Sequence, residues 1–263
     1  MRTLSELMDL SHRRALLTGG AGYIALAAAE ALIELGAQVA ILDQGVDACR
    51  ERAARLGPNA VPFPCDLLDE QATRATVRQV IRTLGGLDIL IHCAAYVGTS
   101  QVPGWAVPFE QQTLATWDNA LRVNLTSAFV LAQEAKDALA ATGRGSIILV
   151  SSTYGMVGPD MSLYAGTSMA NPAGYGASKG GLLQLTRYLA TVLAPDICVN
   201  AISPGGVWRN QPSVFHERYQ ARTPLKRMAV EEDLKGAFAY LASDLSAYVT
   251  GHNLVVDGGW TIW

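Results

Sequence analysis

At 263 residues, half of them hydrophobic and 16% charged, the chain is long enough to form one large α/β domain with a sizeable core. Its net charge of −3 gives no electrostatic reason to expect nucleic acid or an anionic membrane as a partner. The low charge content leaves apolar surface to be covered, so we expect self-association into a homodimer or a homotetramer.

The N-terminus and the cysteines give no sign of export or of a metal site. The first ten residues lack the basic-then-apolar order of a signal peptide. The apolar stretch Ile24–Leu35 is interrupted by Glu30 and Glu34, which argues against a membrane span. The cysteines lie far apart, without a CxxC pair, and are predicted to be isolated thiols in a reducing cytoplasm: Cys49, Cys65, Cys93 and Cys198. We therefore expect a cytoplasmic protein without a bound metal.

Short apolar runs alternate with amphipathic stretches along the chain, which is typical of right-handed βαβ units. Strands are predicted at Ala15–Thr18, Gln38–Asp43, Ala60–Pro64, Leu87–Cys93, Ser146–Ser151, Cys198–Ile202 and Asn253–Val256. Helices are predicted near Tyr23–Leu35, Ala48–Leu56, Glu70–Leu84, Leu114–Ala140, Gly180–Leu193 and Glu231–Ala242. The pattern predicts an α/β fold, a doubly wound parallel sheet of about seven strands with helices on both faces. Because no linker or internal repeat divides the sequence, we expect a single domain over residues 1–263.

Two segments fit the strand–helix alternation poorly, namely Gly155–Gly174 and Gly205–Met228. Long loops inside a compact domain are commonly functional. We predict that both segments cover a substrate.

A glycine-rich turn follows the first predicted strand and precedes a helix. It contains Thr18, Gly19 and Gly22, and Tyr23 and Ile24 open the helix. Glycines let such a turn approach a pyrophosphate, which then lies at the positive N-terminus of the helix. The placement predicts a Rossmann-type dinucleotide site, although a tight turn without a ligand is the structural alternative.

Asp43 ends the second strand, where a ribose-binding carboxylate is expected about 20 residues after the glycines. A carboxylate there binds ribose hydroxyls and repels a 2′-phosphate, and the following Gln44 and Gly45 offer no cation. The pattern favours NAD over NADP. An Asp that caps the next helix is the alternative interpretation.

Further cofactor contacts are predicted after the third and fourth strands. Asp66 and Leu67 follow the third strand, where an adenine ring would lie, although Asp66 could instead cap the helix near Asp69. Small residues such as Ala94 after the fourth strand allow close approach of a cofactor. His92 alone is more often a structural histidine than a catalytic one.

Tyr175 and Lys179 are four residues apart and lie on one face if a helix opens there. A tyrosine pKa of about 10 must fall by about three units, or ~4 kcal/mol, to reach ~7. A neighbouring ammonium, together with an oxidised nicotinamide, favours the phenolate in this way. The pair could therefore exchange a proton with a substrate oxygen during hydride transfer.

With these residues, the chain resembles the short-chain dehydrogenase/reductase family over nearly its whole length. The matching elements are the Thr18–Gly22 turn, Asp66, Asn124, Ser152, Tyr175 with Lys179, Ser203-Pro204-Gly205, and Val256-Asp257-Gly258-Gly259. The resemblance implies a compact, single-domain oxidoreductase that binds a nicotinamide cofactor.

The resemblance implies that Tyr175 is the general acid/base, and that Lys179 lowers its pKa and holds the nicotinamide ribose. It implies that Ser152 orients the substrate oxygen and that Asn124 holds a water in a proton relay. Several alternatives stay open. The orienting serine could be Ser151 instead of Ser152, and either serine could simply bond neighbouring backbone. Asn124 could distort its helix without any role in proton transfer. Pro204, Gly205 and Val207 are expected to contact the cofactor.

The sequence departs from the family pattern at several places. Ala25 stands at the third glycine position, His92-Cys93-Ala94-Ala95 replaces the usual Asn-Asn-Ala-Gly, and Arg209 replaces a Thr expected to touch the nicotinamide amide. Ser152 and Tyr175 are 23 residues apart, about ten more than the family's common spacing. The extra residues, within Pro159–Pro172, are predicted to contact a polyhydroxylated substrate, unless they form an exposed polar loop.

Four side chains near the second loop and the C-terminus have open roles. Arg209 or Arg222 could pair with a phosphate or carboxylate of the substrate, or tie a loop down. We expect Trp260 and Trp263 to pack at a subunit contact, as implied by the family resemblance.

The main hypothesis is an NAD-dependent oxidoreductase acting on an alcohol or ketone of a polar, sugar-like small molecule. A narrower resemblance to oxidoreductases of flagellin and surface-glycan modification points to the same substrate class. The alternatives are a 3-oxoacyl-carrier reductase, against which Asp43 counts, and a catalytically silent dinucleotide-binding regulator, against which Tyr175 and Lys179 count.

Overall fold

The computed structural model describes residues 1–97 and 102–263, and their strands form one parallel sheet. The strand order is β3-β2-β1-β4-β5-β6-β7, which confirms the predicted doubly wound arrangement. The strands are β1 Arg14–Thr18, β2 Gln38–Asp43, β3 Ala60–Pro64, β4 Ile89–His92, β5 Gly145–Val150, β6 Ile197–Pro204 and β7 Asn253–Val256. All seven predicted strands are therefore present, with small differences at their ends.

Helices cover both faces of the sheet. They are α1 Leu4–Met8, α2 Tyr23–Glu34, α3 Val46–Leu56, α4 Glu70–Leu84, α5 Leu114–Leu121, α6 Ser127–Ala140, α7 Ala173–Leu193, α8 Ser213–Arg222 and α9 Glu232–Ala242. Each predicted helix is found. The short α1 and the substrate-side α8 were not predicted.

The core consists of two apolar layers, one on each face of the sheet. Adjacent strand residues point to opposite faces, so Leu16 packs in one layer and Leu17 in the other. Strand β5 is buried at all six positions, as expected for a central parallel strand covered on both sides. None of the helices within the two described ranges has the length and apolar character needed to cross a membrane.

The predicted helix Leu114–Ala140 is interrupted. A π-helical turn, Arg122–Thr126, joins α5 to α6 and places Asn124 in the interior. Such π turns are rare and are frequent at functional sites. The hydrophobic pattern did not reveal the interruption, because the residues on both sides of it keep helical periodicity.

A third apolar cluster lies outside the two layers. Phe215 and Tyr219 of α8 pack there with Trp260. Phe215 and Tyr219 are four residues apart and face one side of α8, a signal that the surrounding polar residues obscured. Trp260 is 1% exposed within its own chain, so the expectation that it packs at a subunit contact is wrong. The remaining members are Leu163 and Met228.

Candidate active site

A cavity of about 1340 Å³ opens at the carboxyl ends of the strands. Strands β1 and β4 are neighbours there, the point at which the strand order reverses and where doubly wound sheets bind ligands. Twelve predicted site residues line the cavity: Gly19, Gly22, Tyr23, Ile24, Asp43, Asp66, Leu67, Ala94, Ser152, Tyr175, Gly205 and Val207. The other four, Thr18, Asn124, Lys179 and Pro204, are buried behind its wall.

The glycine-rich turn leaves its backbone bare toward the cavity. Gly19 has φ +65°, and a Cβ there would lie 2.7 Å from the backbone of Ala94. Gly22 precedes α2 and offers no side chain to cap the free N–H groups of that helix. A phosphate is the kind of group that such an uncapped helix start binds.

Asp43 holds the glycine-rich turn from the second strand. Its Oδ2 accepts a hydrogen bond of 3.0 Å from the backbone N–H of Ala21, and the Arg52 guanidinium donates to the Ala21 carbonyl at 2.6 Å. The N-cap of α3 is Gly45, whose N–H is 3.5 Å from Asp43 Oδ1. Asp43 therefore fixes the turn rather than capping α3, and its carboxylate borders the cavity.

The proposed adenine side of the cavity contains Asp66 and Leu67. The N-cap of α4 is Asp69, whose side chain accepts from the Ala72 N–H at 2.9 Å. Asp66 instead accepts from the Leu68 N–H at 2.9 Å and stays exposed. The interpretation of Asp66 as the helix cap is therefore wrong, and its carboxylate faces the cavity.

The two serines after β5 have different environments. Ser151 is buried and donates 2.8 Å to the backbone carbonyl of Lys179, which ties the strand end to α7. Ser152 lines the cavity close to the side chain of Tyr175, and its hydroxyl oxygen accepts a hydrogen bond of 3.2 Å from the Tyr154 N–H. Ser152 is thus the serine placed beside the tyrosine.

Tyr175 lies in the first turn of α7, which begins at Ala173, earlier than predicted. Lys179, one turn later, is 2% exposed, and its Nζ lies 5.8 Å from the centroid of the Tyr175 ring. Nζ donates 2.7 Å to the carbonyl of Val150. The helix therefore brings the pair onto one face, with the ammonium behind the phenol.

The electrostatics of the pair differ from the expectation. Burial raises the pKa of Tyr175 above its ordinary value, the hydrogen bond with Ser152 lowers it, and nearby Tyr164 raises it further. Burial also lowers the pKa of Lys179 to about 8. Lys179 is not among the groups that shift the pKa of Tyr175 within the protein alone, so the expected lowering is absent and burial is the largest effect.

Asn124 is completely buried in the π turn and organises the neighbouring loop. Its Oδ1 accepts from the Tyr96 N–H at 2.7 Å, and its Nδ2 donates to the Tyr96 carbonyl at 3.3 Å and to the Ser178 hydroxyl at 2.9 Å. The helix distortion that was one alternative for Asn124 is observed. The side chain positions both the cavity wall at Tyr96 and the helix that carries Tyr175.

The inserted segment between Ser152 and Tyr175 packs on α8. Arg218 donates to three backbone carbonyls of the segment, those of Ser162, Leu163 and Ala165. Arg222 forms an ion pair with Asp160 at 3.1 Å. These contacts dock the inserted residues against the cavity, where Tyr164, Met169, Ala170 and Asn171 line the wall.

Both arginines singled out in the sequence hold protein groups. Arg209 lies 4.3 Å from the centroid of the Tyr23 ring and forms an ion pair with Glu231 at 3.0 Å. Besides its ion pair, Arg222 lies over the Trp260 ring, with 4.6 Å between its Cζ and the centroid. Of the two alternatives for these side chains, the structure shows the loop-fastening one.

Several cavity-lining residues were not predicted, above all Tyr154, Phe215 and Tyr219. Tyr154 follows Ser152 by two residues at the same strand end, a position that pointed toward the site. Phe215 and Tyr219 reach the cavity only because α8 folds over it. No group of three or more His, Cys, Asp or Glu side chains in the described ranges is placed to hold a metal.

These features fit a nicotinamide dinucleotide. The side-chain-free cradle at Gly19 and the uncapped start of α2 would hold its pyrophosphate, and Asp43 and Asp66 border the flanking parts of the groove. Fold, cradle and the Ser152–Tyr175–Lys179 arrangement together define a class: the chain belongs to the short-chain dehydrogenase/reductase family. A family model described as enoyl-(acyl carrier protein) reductase matches residues 20–261.

Relatives and solved structures agree with this assignment. The chain is 33% identical over 268 residues to a probable galactose dehydrogenase GalD of Rhizobium meliloti, covering 97% of each chain. It is 33% identical over 258 residues to cis-4-hydroxycyclohexanecarboxylate dehydrogenase of Sinomonas cyclohexanicum, covering 95% of this chain and 97% of that one. A short-chain dehydrogenase of Leptospira borgpetersenii with bound NAD+ superposes with a TM-score of 0.85 at 32% identity, covering 99% of this chain and 96% of that one.

Proposed function

We propose that the protein is an NAD-dependent oxidoreductase that interconverts an alcohol and a ketone on a polar, sugar-like small molecule. The observation that carries the proposal is the placement of Ser152 close to Tyr175 in the cavity wall, with Lys179 buried behind the pair. A hydroxyl pair backed by a cation is suited to exchanging a proton with a substrate oxygen. A silent regulator would have no use for this arrangement.

Each of the three residues has a distinct task in this mechanism. Ser152 donates a hydrogen bond that orients the substrate oxygen, and Tyr175 accepts its proton in oxidation or returns one in reduction. Lys179 supplies positive charge on the protein side, which the buried phenolate requires because burial raises the pKa of Tyr175. When bound, the nicotinamide supplies the hydride acceptor or donor.

Asn124 and His92 act through other residues. Asn124 holds the Tyr96 backbone and Ser178, and thereby fixes α7 and the loop facing it. His92 donates to the carbonyl of Asn124 and keeps the π turn in place. Both are positioning residues, and neither lines the cavity.

The choice of NAD rests on Asp43. Its carboxylate borders the cavity beside the glycine-rich turn, where it would accept hydrogen bonds from ribose hydroxyls and repel a 2′-phosphate. The related Leptospira structure contains NAD+, which supports the same choice. Fluorescence titration with NADH and NADPH tests it, and tighter binding of NADPH would refute it. Asp43→Ser should narrow the difference in Kd between the two.

The central experiment compares two Tyr→Phe variants on the same helix. Tyr175→Phe should lower kcat at least about 1000-fold, since the proton donor is lost, while the Kd for NADH stays within about threefold. Tyr188→Phe is the matched control, because Tyr188 lies on the exposed side of α7. The candidate substrates are aldoses, polyols and cyclic alcohols, and NADH formation with NAD is measured for each of them. Full activity of Tyr175→Phe would refute the mechanism.

An acyl-carrier-linked substrate is the second candidate, because the matching family model carries that description. Such an enzyme would reduce the 3-oxo group of a carrier-bound acyl thioester to a hydroxyl group, with NADPH as the usual donor. An acetoacetyl thioester arm in the same screen distinguishes the two functions. Turnover of the thioester with NADPH, and of no sugar or alcohol with NAD, would favour the second.

A further inference from the structure

Three polar side chains beside Tyr175 form a continuous hydrogen-bonded chain. Asn171 Nδ2 donates to the Tyr164 hydroxyl at 3.4 Å, and the Tyr164 hydroxyl donates to that of Tyr154 at 3.0 Å. All three line the cavity together with Tyr175 and Ser152. The Tyr154 N–H also donates a hydrogen bond of 3.2 Å to the hydroxyl oxygen of Ser152. The chain therefore lies next to the proposed reacting position.

The chain keeps unused hydrogen-bonding capacity at both ends. A phenol has one O–H donor and two acceptor lone pairs, and an amide oxygen has two. Within residues 1–97 and 102–263, the O–H of Tyr154 and the Oδ1 of Asn171 hydrogen-bond to no protein group. Burial raises the pKa of both phenols, so they stay protonated and neutral. A ligand hydroxyl, being both donor and acceptor, satisfies such ends.

The surroundings of this chain match an uncharged carbohydrate rather than an anion. The inserted segment contributes Tyr164, Met169, Ala170 and Asn171 to the wall, none of them cationic. Arg209, which also lines the cavity, is paired with Glu231 at 3.0 Å. Phe215 and Met228 supply apolar wall for the C–H face of a sugar ring.

The subsite is preorganised by α8. The Tyr164 ring packs on Phe215 with 5.3 Å between centroids, and Arg218 binds the carbonyls on both sides of Tyr164. Ordered donors lose little entropy on binding, which favours discrimination between ligands. The part of the insertion around Tyr164 is thus held in a fixed position at the cavity wall.

We propose that Tyr154, Tyr164 and Asn171 form a subsite for a second hydroxyl group of a neutral polyhydroxylated substrate, adjacent to the hydroxyl that reacts at Tyr175. The inference rests on the proposed oxidoreductase function and names the feature of the substrate that the enzyme recognises. It makes the inserted segment the specificity-determining element. A substrate with a single hydroxyl would react without using the subsite.

The test compares kcat/KM for two probes, the best aldose or polyol of the screen and cyclohexanol, in wild type and two variants. Tyr164→Phe and Asn171→Leu should each lower kcat/KM for the polyol about tenfold, the effect of one lost neutral hydrogen bond, and change that for cyclohexanol less than twofold. Tyr188→Phe should change neither. Tyr164→Phe keeps the ring that packs on Phe215, so the fold is preserved.

The outcomes separate this inference from the proposed function. Equal losses on both probes, or no loss on the polyol, would overturn the subsite while leaving the oxidoreductase function standing. Wild-type turnover of cyclohexanol but of no polyol would also overturn it. If wild type oxidises or reduces no member of the screen, the proposed function itself fails.

Discussion

The Nδ1 of His92 lies 2.8 Å from the hydroxyl oxygen of Thr18, at the point where strands β1 and β4 end side by side. On the other side of the ring, Nε2 lies 3.2 Å from the carbonyl oxygen of Asn124. Because a carbonyl only accepts, Nε2 carries the proton and Nδ1 accepts from Thr18. Burial, with a smaller effect of Lys179, lowers the pKa of His92 to about 3. The histidine is therefore a neutral bridge between the glycine-rich turn and the π turn.

His92 should make the fold acid-sensitive. The unfolded histidine binds a proton near pH 6.5 and the folded one only near pH 3, so its contribution to stability is lost as pH falls through that window. The loss is about 1.4 kcal/mol for each pH unit. His92→Asn should reduce the slope of the free energy of unfolding between pH 6.5 and 4.5, measured with urea. The exposed His252→Asn is the control, and an unchanged slope in His92→Asn contradicts the prediction.

Lys179 should have the same effect on stability in a higher pH window. The unfolded lysine holds its proton up to about pH 10.5 and the folded one only to about 8, so stability rises with pH between these values. Lys179→Met should flatten that rise, and should also abolish turnover because the phenolate loses its cation. Urea unfolding from pH 7.5 to 10 measures the first effect, with exposed Lys136→Met as control. An unchanged rise in Lys179→Met would contradict the lowered pKa of Lys179.

Two Gly→Ala variants separate the effect of a side chain at Gly19 on cofactor binding from the general cost of replacing a glycine that has a positive φ. Gly19→Ala places Cβ 2.7 Å from the Ala94 backbone at φ +65°, so the turn must shift and the Kd for NADH should rise at least tenfold. Gly143 has φ +64° with open space around it, which makes Gly143→Ala a control for backbone strain alone. That control should lose about 1 kcal/mol of stability without a change in Kd. Equal Kd values in the two variants would contradict the role of the cradle.

Arg218 should influence substrate binding without touching substrate. Arg218→Met removes the donor that holds the carbonyls of Ser162, Leu163 and Ala165, so the inserted wall loosens. We expect KM for the substrate to rise about three- to tenfold, with the Kd for NADH unchanged. Arg82→Met, on the exposed side of α4, controls for loss of charge. A parallel rise in the Kd for NADH would indicate a general loss of structure.

Local sequence patterns were sufficient to predict the sheet, most of the helices that pack on it and the Tyr175–Lys179 pair. These follow from local periodicity, since adjacent strand residues face opposite layers and residues four apart on a helix share a face. The glycine-rich turn was readable for the same reason, because Gly19 and Asp43 each lie at the end of a predicted strand. No long-range contact was needed for any of them.

The packing of the inserted segment and of the C-terminus, by contrast, depends on long-range contacts. Trp260 is buried because α8 folds over it, and Tyr164 meets Tyr154 because Arg218 and its neighbours dock the segment that carries Tyr164. The pKa of Tyr175 likewise depends on how much of its solvent is removed by distant residues. These contacts join positions far apart in the chain, so the local sequence pattern around each position cannot predict them.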